Sequence, residues 1–246
     1  MLHYWALESQ VLLLSAFASS ELLGHVGWCF WEVPQVLLQY VNPSQGSLGN
    51  AMNSFQTEID TDPFSAEVSN ALLLRETDPA EAIKLLEALS KEGSPVAAHS
   101  LADIYAFGRY GAAADKEKAI QFFNQAIDSG SLEASYRLAR YYESINEIPK
   151  AVALLEELSQ RGFVQADFLL GTYYYDGKLL QKNYVKSLLF FERAADGGHL
   201  YGRQWVGHLL LKKGGVVNWI KGTAIIASTA VSLLRADEND DRLRQW

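Results

Sequence analysis

The histidines and the paired carboxylates are the residues of this 246-residue chain whose types could do chemistry. The five histidines are His3, His25, His99, His199 and His208. No two of them are four residues apart, the spacing that places two metal ligands on one helix. The carboxylate pairs, such as Glu156–Glu157 and Asp240–Asp241, fall on predicted solvent faces or in a polar tail. We therefore interpret these side chains as surface or packing residues and predict no metal site.

The sequence also lacks the short motifs that position a nucleophile or a phosphate. It contains no Gly-x-Ser-x-Gly elbow, no phosphate-binding loop and no dinucleotide fingerprint. Its single cysteine, Cys29, excludes an internal disulfide and a cysteine-based zinc site. We predict a non-enzymatic protein without a cofactor. The absence of paired cysteines fits a reducing compartment, so the predicted location is cytoplasmic, with a periplasmic or membrane-peripheral location as the alternative.

Charge is distributed very unevenly along the chain. Residues 1–74 contain no Lys or Arg and seven acidic residues, whereas residues 75–246 hold all 21 basic residues and 22 of the 29 acidic ones. The net charge of −8 therefore belongs almost entirely to the N-terminal third. This composition argues against nucleic acid as a partner, and against electrostatic docking on anionic lipid.

Two apolar stretches have the composition of targeting or membrane segments. Residues 11–18, VLLLSAFA, follow Glu8 and no basic residue, so a cleaved signal peptide is not expected. Residues 216–234 contain Lys221, and acidic residues divide the N-terminal apolar region into pieces shorter than a span. We predict no transmembrane helix. Membrane association is then expected only through a partner or through the apolar ends of the chain.

The elements that must position any functional side chain are helical and repeated. Four 16-residue segments end on a glycine: 78–93, 115–130, 147–162 and 183–198. Apolar residues recur three and four positions apart in all four, which places them on one stripe of a helix. One such column is Leu86, Phe123, Leu155 and Phe191. The terminal glycines fit the position just after a helix end, where the backbone is left-handed.

A second set of helical segments follows these glycines and aligns without gaps: 94–105, 131–142, 163–174 and 199–210. One column holds only small residues, Ala97, Ala134, Ala166 and Gly202. Small residues let two helices approach closely. Each unit of 32 to 37 residues is therefore a helical hairpin that must stack on its neighbours to bury its apolar stripe.

The units at 98–130 and 166–198 resemble the Sel1-like repeat family, relatives of the tetratricopeptide repeat, down to the loop glycines Gly108, Gly111 and Gly177. The middle unit has lost these glycines and is similar to a plain tetratricopeptide hairpin. The resemblance covers residues 78–211, with a degenerate first helix at 64–76. It implies an all-α, right-handed superhelical solenoid of stacked antiparallel helix hairpins. It also implies an adaptor or scaffold role, since known members serve signalling, secretion, envelope and cell-wall polysaccharide pathways.

Four regions are predicted. Residues 1–41 form aromatic-rich helices that either cap the solenoid or dock another chain, with the cap preferred, and 42–62 form a linker or long loop. The repeat solenoid spans 63–235, with 215–234 as the partner helix of the last hairpin. Residues 236–246 form a polar tail that could cover the apolar end of that helix.

The binding face follows from tetratricopeptide-like stacking, in which the first helix of each hairpin lines the concave side. Side chains of these helices outside the packing columns are predicted to contact a partner: His99, Asp103, Glu133, Tyr136, Arg137, Arg140, Gln165, Phe168, Thr172, Tyr175, Gln204 and His208. Such a mixture of rings, amides and guanidinium groups is typical of interfaces.

The predicted function is a non-enzymatic scaffold or adaptor that binds another protein or a peptide segment in the groove. The first alternative is an envelope-associated accessory factor for polysaccharide synthesis or secretion. A carbohydrate-binding or hydrolytic module is the less favoured third class, because Tyr and Trp rings could stack on sugars. The pattern does not predict an oligomeric state.

Overall fold

A computed structural model describes residues 54–235 of the chain. Within that range the protein is built of helices without strands: α1 Ser54–Thr61, α2 Ser65–Leu74, α3 Pro79–Lys91, α4 Pro95–Phe107, α5 Lys116–Asp128, α6 Leu132–Ser144, α7 Ile148–Gln160, α8 Val164–Asp176, α9 Tyr184–Asp196, α10 Leu200–Lys213 and α11 Val216–Arg235. Backbone contacts divide the chain into residues 1–43 and 44–246, and all these helices belong to the second unit. Helices α2 to α11 form five successive hairpins, which confirms the predicted all-α solenoid.

The helix boundaries follow from local chemistry at each end. Asp78, Ser94, Asp115 and Ser131 each precede a helix, and each side chain accepts a hydrogen bond from an N–H of its first turn. At the end of α3, Gly93 has a φ of 103°, and the N–H of Ser94 donates to the carbonyl of Leu89 over 3.0 Å. This geometry closes the helix and begins the next one two residues later.

The predicted packing columns are the core of the stack. Leu86, Phe123, Leu155 and Phe191 are completely buried, one in the second helix of each successive hairpin from α3 to α9. Small residues on the facing helices let the two helices of a hairpin pack closely together. A Cβ added at Gly171 would lie 2.7 Å from Cδ1 of Phe191, so only glycine fits beneath that ring.

Helix α1 corrects the prediction of a linker or long loop over 42–62. Residues 54–61 are helical, and Ile59 is buried in the first core cluster with residues of α2, α3 and α4. The segment contacts the stack through Glu58 as well as Ile59, so part of this contact is made by a carboxylate. Its polar composition therefore resembled that of a loop.

Helix α11 is the partner helix of α10, as predicted, and is longer than the 13-residue helices before it. Val216–Leu234 is long and apolar enough to cross a membrane by length and composition alone, and 17% of it is buried. The absence of a transmembrane helix stays a prediction. Core helices of soluble proteins also have this length and composition. The predicted N-terminal cap and C-terminal tail lie outside the described residues.

Candidate partner-binding face

The first helices of the last four hairpins, α4, α6, α8 and α10, carry all twelve predicted contact residues. Four of them are buried: His99 and Glu133 are 1% exposed, Tyr136 is 3% exposed and Phe168 is 7% exposed. The prediction that these four side chains face the groove is wrong, because they are buried in the stack. Neighbouring elements cover them, since Tyr136 packs on Phe163 and the Phe168 ring stacks on His199 at 4.2 Å.

Arg137 is the centre of a charged network between α4 and α6. Its Nη1 lies 2.7 Å from Oδ2 of Asp103, and its Nε lies 3.0 Å from Oε1 of Glu133. Burial raises the pKa of Asp103 above its ordinary value, and the Arg137 guanidinium opposes that rise. Three of the predicted residues therefore hold two helices together, so their charged groups are already paired within the chain.

Helix α1 and the residue after it bring two further carboxylates to the N-termini of α6 and α4, and the sequence did not predict them. Glu58 accepts hydrogen bonds from Oγ of Ser131 at 2.8 Å and from the N–H of Glu133 at 3.2 Å. Asp62, just after α1, accepts from Oγ of Ser94 at 2.7 Å and from the N–H of Val96 at 3.2 Å. The two acids thus occupy the N-termini of α6 and α4, where helix dipoles and free N–H groups favour negative charge.

The signal for this contact is present in the sequence but weak. Glu58 and Asp62 are four residues apart, which places them on one face of a helix. Ser94 and Ser131 begin consecutive first helices and are equivalent in the repeat. Matching a pair of acids to a pair of repeated serines would have identified the contact, although nothing in the local composition marks 54–61 as a helix.

The second half of the face, on α8 and α10, is aromatic. The ring of Tyr175 lies 4.5 Å from that of Trp205 and 5.6 Å from that of Tyr184, and His208 meets Trp205 edge-on at 6.0 Å. Trp205 and Tyr184 were not predicted as contact residues. Tyr175 and Trp205 are half-buried, and His208 is exposed. This cluster presents ring surface to solvent.

The remaining predicted residues are half-buried and lie between these two regions or beside them. Arg140 pairs with Glu143 at 2.9 Å across one turn of α6. Thr172 donates from its hydroxyl to the carbonyl of Phe168. Gln165 and Gln204 keep part of their surface in solvent. The accessible part of the predicted face therefore runs from Arg140 toward α8 and α10.

The chemistry available on this face is recognition by rings, amides and a guanidinium group. Between residues 54 and 235 no three His, Cys, Asp or Glu side chains lie together in a way that could hold a metal ion. Asp62, Glu58 and Asp103 in the first half accept hydrogen bonds from serine, backbone or arginine donors. That the chain is not an enzyme stays a prediction.

Comparison with known proteins places this fold among described repeats. A family model, the Sel1 repeat, matches residues 95–131 and 164–199, which correspond to the hairpins α4–α5 and α8–α9. No curated protein matches the sequence.

Two solved structures share the fold. A Sel1 repeat protein from Oxalobacter formigenes is 23% identical, with a TM-score of 0.56 over 72% of this chain and 54% of that one. The protective antigen c5321 of uropathogenic Escherichia coli, which displays an SLR fold, is 19% identical, with a TM-score of 0.52 over 78% of this chain and 45% of that one. The chain thus spans about half the length of these proteins. At these identities the likeness concerns the fold alone.

Proposed function

We propose that this chain, a protein built of Sel1 repeats, is a scaffold that binds a helical segment of a partner protein on the α8–α10 part of its first-helix face. Sel1 repeats generally act as protein–protein interaction modules, and their fold is typically a non-enzymatic scaffold. The choice of partner segment and of its position on the face is our own inference from the geometry.

The observation that carries the proposal is the contact of α1 with the first half of the same face. There a short helix already lies against α4 and α6, with Ile59 in the core and Glu58 on the N-terminus of α6. The geometry demonstrates that the N-termini of these helices accept the acidic side chains of a helix packed beside them. The second half of the face has no such helix among the described residues and offers an aromatic surface instead.

The aromatic half fits a segment with apolar side chains along one stripe. Tyr175, Trp205 and His208 provide ring surface, and Gln204 provides an amide that can pair with a backbone or side-chain group. Large rings carry much of the binding free energy at protein interfaces because they bury much area at a small entropic cost. We therefore expect Tyr175 and Trp205 to be the main contact residues.

Site-specific photo-crosslinking in cells tests this proposal. A photoreactive amino acid replaces Gln204 on the face or, as the matched control, the exposed Glu156 on α7, a second helix of its hairpin. The expected result is a discrete crosslinked protein from position 204 and none from position 156. The captured protein is then purified, and its affinity is measured by calorimetry for the wild type and for Tyr175→Ala, which should bind at least 10-fold more weakly. Equal crosslinking from both positions would refute this binding face.

A second candidate function, the envelope-associated accessory factor, is favoured by one observation. Helix α11 is long, apolar and mostly outside the core. Fractionation of cells producing the full-length protein tests it, since recovery entirely in the soluble fraction without detergent would count against an association with the envelope.

A further inference from the structure

The last two hairpins bring four helix ends to one edge of the stack. Helix α10 joins α11 through Gly214 and Gly215 alone, so the end of α10 and the start of α11 are adjacent. Nζ of Lys212, at the end of α10, lies 3.9 Å from the ring centre of Tyr184, at the start of α9. Tyr175, at the end of α8, contacts that same ring. We call this region, residues 176–189 and 211–221, the lysine edge.

The lysine edge has a charge opposite to that of the chain. It contains six lysines and one acid, Asp176, in a protein with a net charge of −8. The lysines are Lys178, Lys182, Lys186, Lys212, Lys213 and Lys221. Several of them lie over aromatic rings, such as Lys186 over Tyr174 at 5.0 Å and Lys182 over Tyr184 at 5.5 Å. Beyond the edge, Glu192 of α9 interacts with Lys213.

The same edge exposes large apolar side chains among these lysines. Five of them are more than half exposed: Val185, Leu189, Val216, Val217 and Trp219. The last three form the first turn of α11, directly after the lysines that end α10. Exposed apolar side chains grouped in this way mark an interaction surface more often than a free one.

At the equivalent edge of the earlier hairpins, the lysines are paired with carboxylates of the chain. There Nζ of Lys116 lies 2.6 Å from Glu147, and Nζ of Lys150 lies 2.5 Å from the same carboxylate. Lys118 is close to Asp115. An excess of lysine is therefore a property of the last two hairpins and not of the repeat fold.

We propose that the lysine edge docks on a membrane surface that contains anionic lipid. Lysine ammonium groups bind lipid phosphates, while their aliphatic stems and the ring of Trp219 lie at the boundary between headgroups and acyl chains. Val216 and Val217 would insert beside Trp219. An acidic protein segment could also pair with the lysines, but it would leave these apolar side chains in water, so lipid accounts for both features of the edge.

The inference goes beyond the scaffold proposal and does not depend on it. The partner face involves Tyr175, Trp205 and His208 on α8 and α10, whereas the membrane contact involves the exposed lysines and the first turn of α11. A scaffold docked in this way would be membrane-peripheral and would hold its partner near the lipid surface. Each proposal can fail while the other survives.

Vesicle flotation of the full-length protein tests the inference. Vesicles of phosphatidylcholine with one quarter phosphatidylglycerol are compared with pure phosphatidylcholine vesicles at low and high salt. We expect binding to the anionic vesicles only, weakened by salt. A variant with Lys182→Gln, Lys186→Gln, Lys212→Gln and Lys213→Gln should lose affinity by about 100-fold or more. The matched control changes four exposed lysines elsewhere: Lys84→Gln, Lys91→Gln, Lys116→Gln and Lys118→Gln.

Fluorescence separates lipid from an acidic protein as the occupant. Brominated acyl chains should quench tryptophan emission of the wild type on anionic vesicles, and Trp219→Phe should remove most of that quenching. The inference is overturned by failure to bind anionic vesicles at low salt, or by equal loss of binding in the two four-lysine variants. Binding to soluble polyglutamate as tight as that to vesicles, without quenching, would assign the edge to an acidic protein and overturn it as well. Circular dichroism melting curves confirm that each variant is folded.

Discussion

The first and last hairpins of the stack share the same packing columns and differ in what surrounds them. In the first half, carboxylates of α1 and α6 meet serines and Arg137, and the lysines of the outer edge pair with Glu147. In the second half, rings of α8, α9 and α10 contact one another, and lysines lie over tyrosines. The comparison teaches that the columns determine the stack, whereas the remaining positions determine which polar and aromatic groups are satisfied internally and which stay exposed.

The core should be equally important in both halves, and this is the largest expected effect. Phe123 and Phe191 occupy the same column and are both completely buried. Phe123→Ala and Phe191→Ala should each lower the free energy of unfolding by about 3–5 kcal/mol. Urea denaturation measures the change, with Phe107→Ala, at a side chain 48% exposed, as the control. A large effect at one position and a small one at the other would show that the two halves unfold separately.

The charged network of the first half should stabilise the stack more than an ordinary surface ion pair. Arg137→Ala removes the partner of Glu133, which is 1% exposed, and of Asp103, and should cost about 2–3 kcal/mol. Arg140→Ala removes a single pair with Glu143 and should cost less than about 1 kcal/mol. Chemical denaturation measures the free energy of unfolding of both variants. Equal losses would mean that the network contributes no more than a surface pair.

The two serines that bind Glu58 and Asp62 should act as strong helix caps. Ser131 accepts from the N–H of Ala134 and donates to Glu58, so Ser131→Ala should cost about 1–2 kcal/mol. Ser94→Ala should cost a similar amount, because Ser94 bonds Ala97 and Asp62 in the same way. The exposed Ser129 is the control, at less than about 0.5 kcal/mol. Thermal melts measure the three losses. If Ser129→Ala destabilised the protein as much as the other two variants, the contacts of Ser131 with Glu58 and of Ser94 with Asp62 would not contribute as described.

The smallest expected effect is a pH dependence specific to Glu58. Burial raises the pKa of Glu58 above its ordinary value of 4.5, so the folded state binds this proton more tightly than the unfolded state. Stability from this group therefore increases as the pH falls from 7 through the raised pKa toward 4.5, and decreases as the pH rises.

Glu58→Gln removes that titration and keeps an acceptor for Ser131. The wild type should therefore gain stability relative to Glu58→Gln between pH 7 and pH 5, as measured by denaturation at each pH. A constant difference across this range would show that Glu58 is well solvated and does not lie against α6 as described.

Sequence reasoning predicted the candidate site only in part. It placed the candidate contact residues on the first helices, where Tyr175, Gln204 and His208 keep surface in solvent. It missed α1 and Trp205, and it assigned His99, Glu133, Tyr136 and Phe168 to the surface. A helix period tells which residues share a stripe, but a stripe is exposed only where no other element packs on it. Glu58 lies 73 residues from Ser131 along the chain, a distance at which no local pattern operates.

The sequence by itself determined the hairpins, their columns and their boundaries. These depend on interactions within a few residues, such as apolar spacing, serine caps and a left-handed glycine, and each is repeated often enough to be read by alignment. Only the tertiary structure decided where charge is satisfied and where it is left exposed. Lysines separated by up to 35 positions, from Lys178 to Lys213, come to one edge because antiparallel helices return there. Net charge averages over the chain, whereas a surface presents only the residues that the fold brings together.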